Sequence, residues 1–245
     1  MVRTLIVAEA GVNHCGRLDT ALALIAAAKT SGADAVKFQA FTPAMLAPGN
    51  WERQSMLKGL ALTREELLIL NAECGHVGIE FMCTPMDSDW LRFCVGALKI
   101  KRVKIGSAQA GDAAFVRAVA AYKLPVIISN GMADNAEFCR AVGILVDGGC
   151  DVTPMACISA YPTPDARVRM SEVARLKDLF PGMTVGFSSH CRSFWPSVAA
   201  VYAGAVVTEN HLMLPGCTSP DAGSSLLPVE FTALVREIRT AEVGR

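Results

Sequence analysis

The 245-residue chain reads as a (β/α)8 TIM barrel of the α/β class. Three observations predict this. Short β-rich runs alternate from end to end with longer amphipathic or alanine-rich runs. The spacing is about thirty residues, the length of one strand–helix–strand unit. Nearly every strand-like run leads into a polar residue, as the C-terminal mouth of a barrel requires.

The elements follow in order. The strand at 4–9 is the N-terminal apolar run that stops at Glu9, and the helix at 19–30 is alanine-rich. The strand at 34–39 carries Ala-Val-Lys-Phe-Gln. The longest gap, 41–62, holds Pro43, Pro48, Gly49, Asn50 and Trp51. A loop of that length in a compact barrel is more often functional than not. The helix at 64–76 opens on Thr63 and Glu66, a capping box ahead of Leu67, Leu68 and Leu70. The strand at 79–83 and the helix at 88–96 make the third unit. The fourth is the strand at 102–105, within Arg-Val-Lys-Ile-Gly-Ser, with the helix at 112–122. Pro125 opens the strand at 125–129, followed by the helix at 134–147. The strand at 152–157 precedes the helix at 170–178, which Pro181-Gly182 separates from the strand at 183–187. The helix at 194–203, the strand at 205–209 and the helix at 228–242 complete eight units. A doubly wound open sheet is the main competitor, but the turn after the first strand, Gly-Val-Asn-His-Cys-Gly, lacks the dinucleotide-binding glycine spacing. No linker or low-complexity tract interrupts the pattern, so one domain over 1–245 is expected.

Composition sets further bounds. Hydrophobic residues make up 52% and charged residues 19%, enough for a substantial core. Lys+Arg and Asp+Glu cancel at 23 each, so no global field favours nucleic acid or an anionic membrane. The N-terminal apolar run is too short and polar for a signal peptide, and no run is long enough for a membrane span. A cytoplasmic location is expected. Nine cysteines at scattered spacing, with no Cys-x-x-Cys, read as reduced core thiols rather than a disulfide or zinc framework.

The strand ends supply the chemistry. In order they present Glu9, Lys37 with Gln39, Thr84, Lys104 with Ser107, Ser129, Ser159 with Tyr161, Ser188 with His190, and Glu209 with His211. Taken singly, each has a plain alternative: a surface lysine, a helix-capping serine, a structural histidine. His14 suits a core or turn position, and His76 the outer end of a helix. Together the strand ends describe a pocket for phosphate and carboxylate, since a buried lysine is costly unless it meets an anion. Gly106 and Gly131 follow strands where a backbone approaches a ligand. His190 and His211 sit about one strand–helix–strand unit apart and reach the same end of the sheet. Two imidazoles with open positions suit a catalytic divalent metal.

These segments resemble the catalytic barrel of the sialic acid synthases. The matches are Ala-Glu-Ala-Gly-Val-Asn-His-Cys-Gly (8–16), Ala-Asp-Ala-Val-Lys-Phe-Gln (33–39), Cys-Thr-Pro (83–85), Val-Lys-Ile-Gly-Ser (103–107) and Pro-Val-Ile-Ile-Ser-Asn-Gly-Met-Ala (125–133). Ser-Ala-Tyr-Pro-Thr-Pro (159–164), Val-Gly-Phe-Ser-Ser-His (185–190), Glu-Asn-His (209–211) and Ser-Pro-Asp (219–221) follow in the family's order. The resemblance implies condensation of phosphoenolpyruvate with an aldehyde or open-chain amino sugar to a 2-keto-3-deoxy acid, with release of phosphate. It implies His190 and His211 as ligands of a divalent metal, Mn2+ with Mg2+ or Co2+ as substitutes. Lys37, Thr84, Lys104, Ser107, Ser129, Ser159 and Ser188 would hold phosphoenolpyruvate. Glu9, Gln39, Tyr161 and Asp221 would face the sugar or the attacking water, with Glu9 handling protons, and Asn50 would be a further sugar contact.

The chain also departs from the family pattern. Gln109 stands where a glutamate is usual, and an amide cannot exchange a proton at neutral pH. Asn210 replaces a basic residue, and Ser-Asn-Gly (129–131) replaces Ser-Thr-Gly. The sequence ends at Arg245, where the family continues into a small antifreeze-like domain, so a homodimer or a separate partner domain is the expected complement. These departures point to an acceptor other than the standard N-acetylated hexosamine. Two other readings of the same barrel are a metal-dependent pyruvate aldolase and a non-catalytic ligand-binding scaffold.

Overall fold

A computed structural model describes residues 3–47 and 49–244; Pro48, within the predicted 41–62 loop, and Met1, Val2 and Arg245 lie outside the described residues. The strands are β1 (Leu5–Gly11), β2 (Ala35–Ala40), β3 (Glu80–Pro85), β4 (Val103–Ile105), β5 (Val126–Ser129), β6 (Val152–Cys157), β7 (Gly186–Ser189), β8 (Val207–Leu212) and the two-residue β9 (Ser225–Leu226). The helices are α1 (Leu18–Thr30), α2 (Pro43–Leu46), α3 (Trp51–Lys58), α4 (Arg64–Val77), α5 (Ser88–Gly96), α6 (Ala113–Ala120), α7 (Asn135–Asp147), α8 (Ser171–Leu179), α9 (Trp195–Tyr202) and α10 (Pro228–Val243).

Strands β1–β8 form a parallel barrel in the order β3-β2-β1-β8-β7-β6-β5-β4, with β9 added beside β8. Among the described residues no ladder joins β3 to β4. That seam is pinned at its N-terminal edge by a forked ion pair. Arg102, just ahead of β4, donates to both carboxylate oxygens of Glu80 at 2.8 and 3.1 Å. The same N-terminal end of the barrel is tied to α10 ahead of β1 and β2, where Arg239 of α10 reaches Asp34 at 2.6 Å and the Thr4 carbonyl at 2.8 Å.

Because side chains alternate across a strand, each strand divides its residues between two cores. Ile6, Ala8 and Ala10 of β1, Val36 and Phe38 of β2, and Ile128 of β5 pack outward under the helices. Val7, Ala35, Met82, Ile127, Met155 and Val207 form a second, separate apolar layer, the floor of the barrel interior. Each buried Val, Ile, Met or Phe side chain among these contributes about 1.5–3 kcal/mol relative to exposure. Glu9, Lys37, Thr84, Ser129, Cys157, Glu209 and His211 continue the same inward parity, two or four residues beyond these apolar positions. Parity therefore stacks a polar layer on an apolar one.

The helix ends follow local chemistry. Thr63 with Glu66 and Asp134 with Glu137 close reciprocal capping boxes on α4 and α7. Asp87 and Asp112 cap α5 and α6. Two differences from the predicted elements bear on the site. Strands β7 and β8 lie two to three residues later than 183–187 and 205–209, because β8 pairs with β1 from Val207 to His211. His211 is thus inside a strand, and His190 follows directly on β7. Residues 41–62 are not one loop, since they fold into α2 and α3. Pro43 at the first turn of α2 and the Asn50 cap of α3 are the local reasons. All nine cysteines are free, but Cys15, Cys139, Cys157 and Cys217 are only partly buried, so core thiols describes the other five.

Candidate active site

Every predicted catalytic, substrate-binding and metal residue except Asn50 lines one cleft of about 350 Å3 at the C-terminal mouth of the barrel. Its floor is a buried charge quartet. The Lys37 ammonium lies 2.8 Å from Glu9 and 3.6 Å from Glu209, and it donates to the Thr84 hydroxyl at 2.9 Å. Lys104 donates to Ser129 at 2.8 Å and lies 3.9 Å from Glu209. Gln39 donates to the other Glu9 oxygen at 2.9 Å, and Ser188 donates to Glu209 at 3.2 Å. All four charged groups are buried.

Desolvation penalises these charges, and their mutual pairing decides which of them remain fully ionised. Burial alone would lower the Lys37 pKa, but Glu209 and Glu9 outweigh it and leave the pKa raised. For Lys104 burial wins: Glu209 only partly offsets it, Lys37 repels it, and the pKa is lowered. Glu209 is pulled well below the usual carboxylate range, because Lys104 and Lys37 overcome the upward push of burial. Lys104 is therefore the less compensated cation, and it faces a row of hydroxyls. Ser107 and Ser159 share a hydrogen bond of 3.0 Å across the same wall. None of Ser107, Ser129 and Ser188 caps a helix, which removes the plain alternative for each. Gly131 leaves this wall open, because a Cβ there would lie 2.5 Å from the Ser159 hydroxyl.

The histidines sit beside the quartet. Their ring centroids are 5.4 Å apart, and Tyr161 packs 4.0 Å from the His190 ring. His190 Nδ1 approaches the Ile158 carbonyl at 2.7 Å, and a carbonyl only accepts, so Nδ1 carries the hydrogen and Nε2 keeps its lone pair. Burial and the neighbouring His211 lower the His190 pKa to about 4, so the ring is neutral at neutral pH. The buried His211 Nδ1 has no hydrogen-bond partner, with Asp221 Oδ2 3.5 Å away. A neutral ring with a free lone pair beside an orphaned imidazole nitrogen fits a divalent ion. Among the described residues no group of three or more His, Cys, Asp or Glu side chains is arranged around one point. Any ion held here would have these two imidazoles as its His, Cys, Asp or Glu ligands.

Gln109 lies at the cleft edge, where its amide nitrogen meets the Met86 sulfur at 3.2 Å and its buried carbonyl oxygen has no partner. Asn50 does not join the site: it is exposed and its side chain accepts from the Arg53 amide as the cap of α3. His14 is buried, and His76 is exposed on the last turn of α4. Glu209, named among the strand ends but given no role there, joins the cleft by its inward parity with His211, and the cleft also contains residues that the sequence reading did not name. Arg53, Met56, Leu57 and Leu60 come from the region read as a loop.

The matching family model, described as NeuB family, covers residues 24–244. The chain belongs to the NeuB family. An N,N'-diacetyllegionaminic acid synthase of Legionella pneumophila subsp. pneumophila is 36% identical over 260 residues, covering 97% of this chain and 72% of the relative. Human N-acetylneuraminate-9-phosphate synthase is 30% identical, covering 97% of this chain and 70% of its own. The crystal structure of an N-acetylneuraminic acid (sialic acid) synthetase from Leptospira borgpetersenii serovar Hardjo-bovis superposes with a TM-score of 0.95 at 28% identity, covering 99% of this chain and 86% of that one. This NeuB-family barrel is a sialic acid synthase-like enzyme of the transferase type. No helix among the described residues is long and apolar enough to cross a membrane.

Proposed function

We propose that this NeuB-family protein condenses phosphoenolpyruvate with the aldehyde of an open-chain amino sugar, forming a 2-keto-3-deoxy acid and inorganic phosphate. The observation that carries the reading is the Lys37–Glu9–Lys104–Glu209 quartet on the floor of the cleft that His190 and His211 also line. Lys104 with Ser129, and Lys37 with Thr84, hold the carboxylate and phosphate of phosphoenolpyruvate, and Ser107, Ser159 and Ser188 complete the set of donors. Fixing both anionic groups presents C3 to the incoming carbonyl, so most of the catalysis is positioning.

His190 and His211 would hold a divalent ion, Mn2+ with Mg2+ or Co2+ as substitutes, whose Lewis acidity polarises the acceptor carbonyl. The C3–aldehyde carbon bond forms as the enol π pair leaves C2. A water oxygen adds to C2, the C2–O bond to phosphate breaks with its electron pair leaving on phosphate, and the water oxygen remains as the keto group; one of the water's two protons ends on the former aldehyde oxygen, now a hydroxyl, and the other on the released phosphate. Glu9 is the carboxylate for orienting that water and taking its proton, and its two oxygens are already fixed by Lys37 and Gln39. Gln109 offers its unpartnered oxygen as an acceptor to substrate hydroxyls but no proton. Tyr161 and Asp221 border the acceptor side beside the two imidazoles.

The test is phosphate release from phosphoenolpyruvate across a panel of amino sugars and simple aldehydes, with Mn2+, Mg2+ or Co2+ or with chelator. Release that needs both an aldehyde and a divalent ion, and that vanishes in His190→Ala, is the expected result. Aldehyde-dependent consumption of pyruvate without phosphate release would replace this reading with an aldolase. A folded, metal-loaded protein that releases nothing across the panel would overturn it.

A further inference from the structure

We infer that Cys15 and Cys217 are a peroxide-sensitive thiol pair, whose reversible disulfide clamps the first βα loop to the β8–β9 connection and lowers turnover; the effect on turnover rests on the synthase reading. Both thiols donate to one acceptor, the Asn13 carbonyl oxygen, at 3.7 Å from Cys15 and 3.5 Å from Cys217. They also contact each other, and the Thr218 amide and hydroxyl reach the Cys15 sulfur. Both cysteines are only partly buried, and Cys217 is flanked by the exposed Gly216 and Thr218. The thiols of Cys83 and Cys94 are also in contact, but both are fully buried and closed to an oxidant in solution.

The backbone holds the pair in place and links it to the cleft. Cys15 has a φ of 52°, the left-handed region that residues with side chains rarely adopt. Gly16 follows at φ 70°, and a Cβ there would lie 2.0 Å from the Gly59 carbonyl oxygen, so packing fixes the turn that carries the Cys15 thiol. Asn13 donates to the Leu212 carbonyl and to Ser225, each at 2.8 Å, and accepts from Ser219. Ser219 accepts from the Asp221 amide at 3.2 Å, and Asp221 Oδ2 lies 3.5 Å from His211 Nδ1. Contacts therefore run from the thiols to the acceptor side of the cleft.

The chemistry needs one hydroperoxide. The Cys217 thiol, on the more exposed segment, is oxidised to a sulfenic acid as the peroxide O–O bond breaks and one water leaves. The Cys15 sulfur then attacks the Cys217 sulfur, the S–O bond breaks, and the departing hydroxide takes the Cys15 proton as a second water. Burial raises the Cys15 pKa, with the Thr218 donors acting against it, which suits Cys15 to the second step. The disulfide removes both S–H donors from the Asn13 carbonyl and draws Cys217 toward the first loop. Ser219 and Asp221, two and four residues further on, shift with it.

The experiment treats the reduced protein with hydrogen peroxide and maps its disulfides by mass spectrometry of unreduced peptides. Phosphate release is measured in parallel, with phosphoenolpyruvate, Mn2+ and the acceptor sugar found active in the panel, on the wild type, Cys15→Ser and Cys217→Ser. The expected result is a Cys15–Cys217 link in the wild type and a roughly tenfold fall in turnover, the scale of a small misplacement at a reacting site. The rise in melting temperature with phosphoenolpyruvate should be the same before and after oxidation, and dithiothreitol should restore turnover. Neither serine variant should form the link or lose turnover. Peroxide treatment that leaves Cys15 and Cys217 unlinked overturns the inference and leaves the synthase reading intact. A link without loss of turnover overturns the coupling to the cleft. An equal loss in Cys217→Ser places the sensitive thiol elsewhere, with Cys157 in the cleft the first to examine, and overturns the inference as well. Reduced protein that releases no phosphate overturns the synthase reading, and the peptide map alone then decides the disulfide.

Discussion

The Glu209 carboxylate lies 3.6 Å from the Lys37 ammonium and, through its other oxygen, 3.9 Å from that of Lys104. One internal anion therefore serves two buried cations at the place where an external anion is expected to bind. Removing it leaves Lys37 with Glu9 alone and Lys104 buried without an ion-pair partner among the described residues, and breaking a buried pair typically costs about 3–5 kcal/mol. Glu209→Gln should melt well below the wild type in buffer without multivalent anions. Saturating phosphoenolpyruvate should then raise its melting temperature by more than it raises that of the wild type, because the ligand supplies the charge that the variant lacks. Thermal melts of both proteins with and without phosphoenolpyruvate read this directly; an equal or smaller ligand-induced rise in the variant would show that Glu209 and the ligand do not share the lysines.

Gly186 opens β7, paired with Met155 of β6 on one side and Val207 of β8 on the other. A Cβ there would lie 2.9 Å from Met155 Cγ and 2.9 Å from the Val207 carbonyl oxygen. The methionine can turn, but the backbone of β8 cannot without moving Glu209 and His211, its inward residues further along. Gly186→Ala should lose about 1–3 kcal/mol by overpacking, a drop of roughly 2–4 °C in Tm for each kcal/mol in a chain of this size. Denaturant melts test it. An unchanged midpoint would mean that Met155 absorbs the methyl group alone.

Much of this architecture was legible because parity and punctuation are local properties. Lys37 and Lys104 sit in apolar strands at inward positions, and each strand's polar terminus marks the mouth, so the quartet's lysines and both histidines were readable from sequence. Glu209 was visible at its strand end, but its part in pairing both lysines depends on bringing β2, β4 and β8 together across the barrel, which no local pattern encodes. The α2–α3 wall was missed for another reason. Pro43, Pro48, Gly49 and Asn50 punctuate 41–62 so densely that they mask a short helix whose apolar residues face a cleft rather than a core. The late start of β7 and β8 is a tertiary effect too, since pairing with β6 for β7 and with β1 for β8 decides which residues of an apolar run enter the ladder.

His14 offers a pH test away from the imidazole pair. Its ring is buried, its Nδ1 accepts from the Gly16 amide at 3.0 Å, and burial lowers its pKa from 6.5 to about 4. Between those values the unfolded chain binds a proton at His14 that the folded chain refuses. Stability therefore rises with pH across this window, is fully present above about 6.5, and is lost as the pH falls toward 4. The full window corresponds to about 3 kcal/mol for one such group. His14→Asn keeps an acceptor for the Gly16 amide and removes the titration. Denaturant melts from pH 7.5 to 4.5, taken as the difference between wild type and variant, cancel His190 and the carboxylates common to both. The wild type should lose stability faster than His14→Asn below about pH 6.5 and run parallel to it above; parallel curves throughout would mean that the folded protein admits the proton at His14.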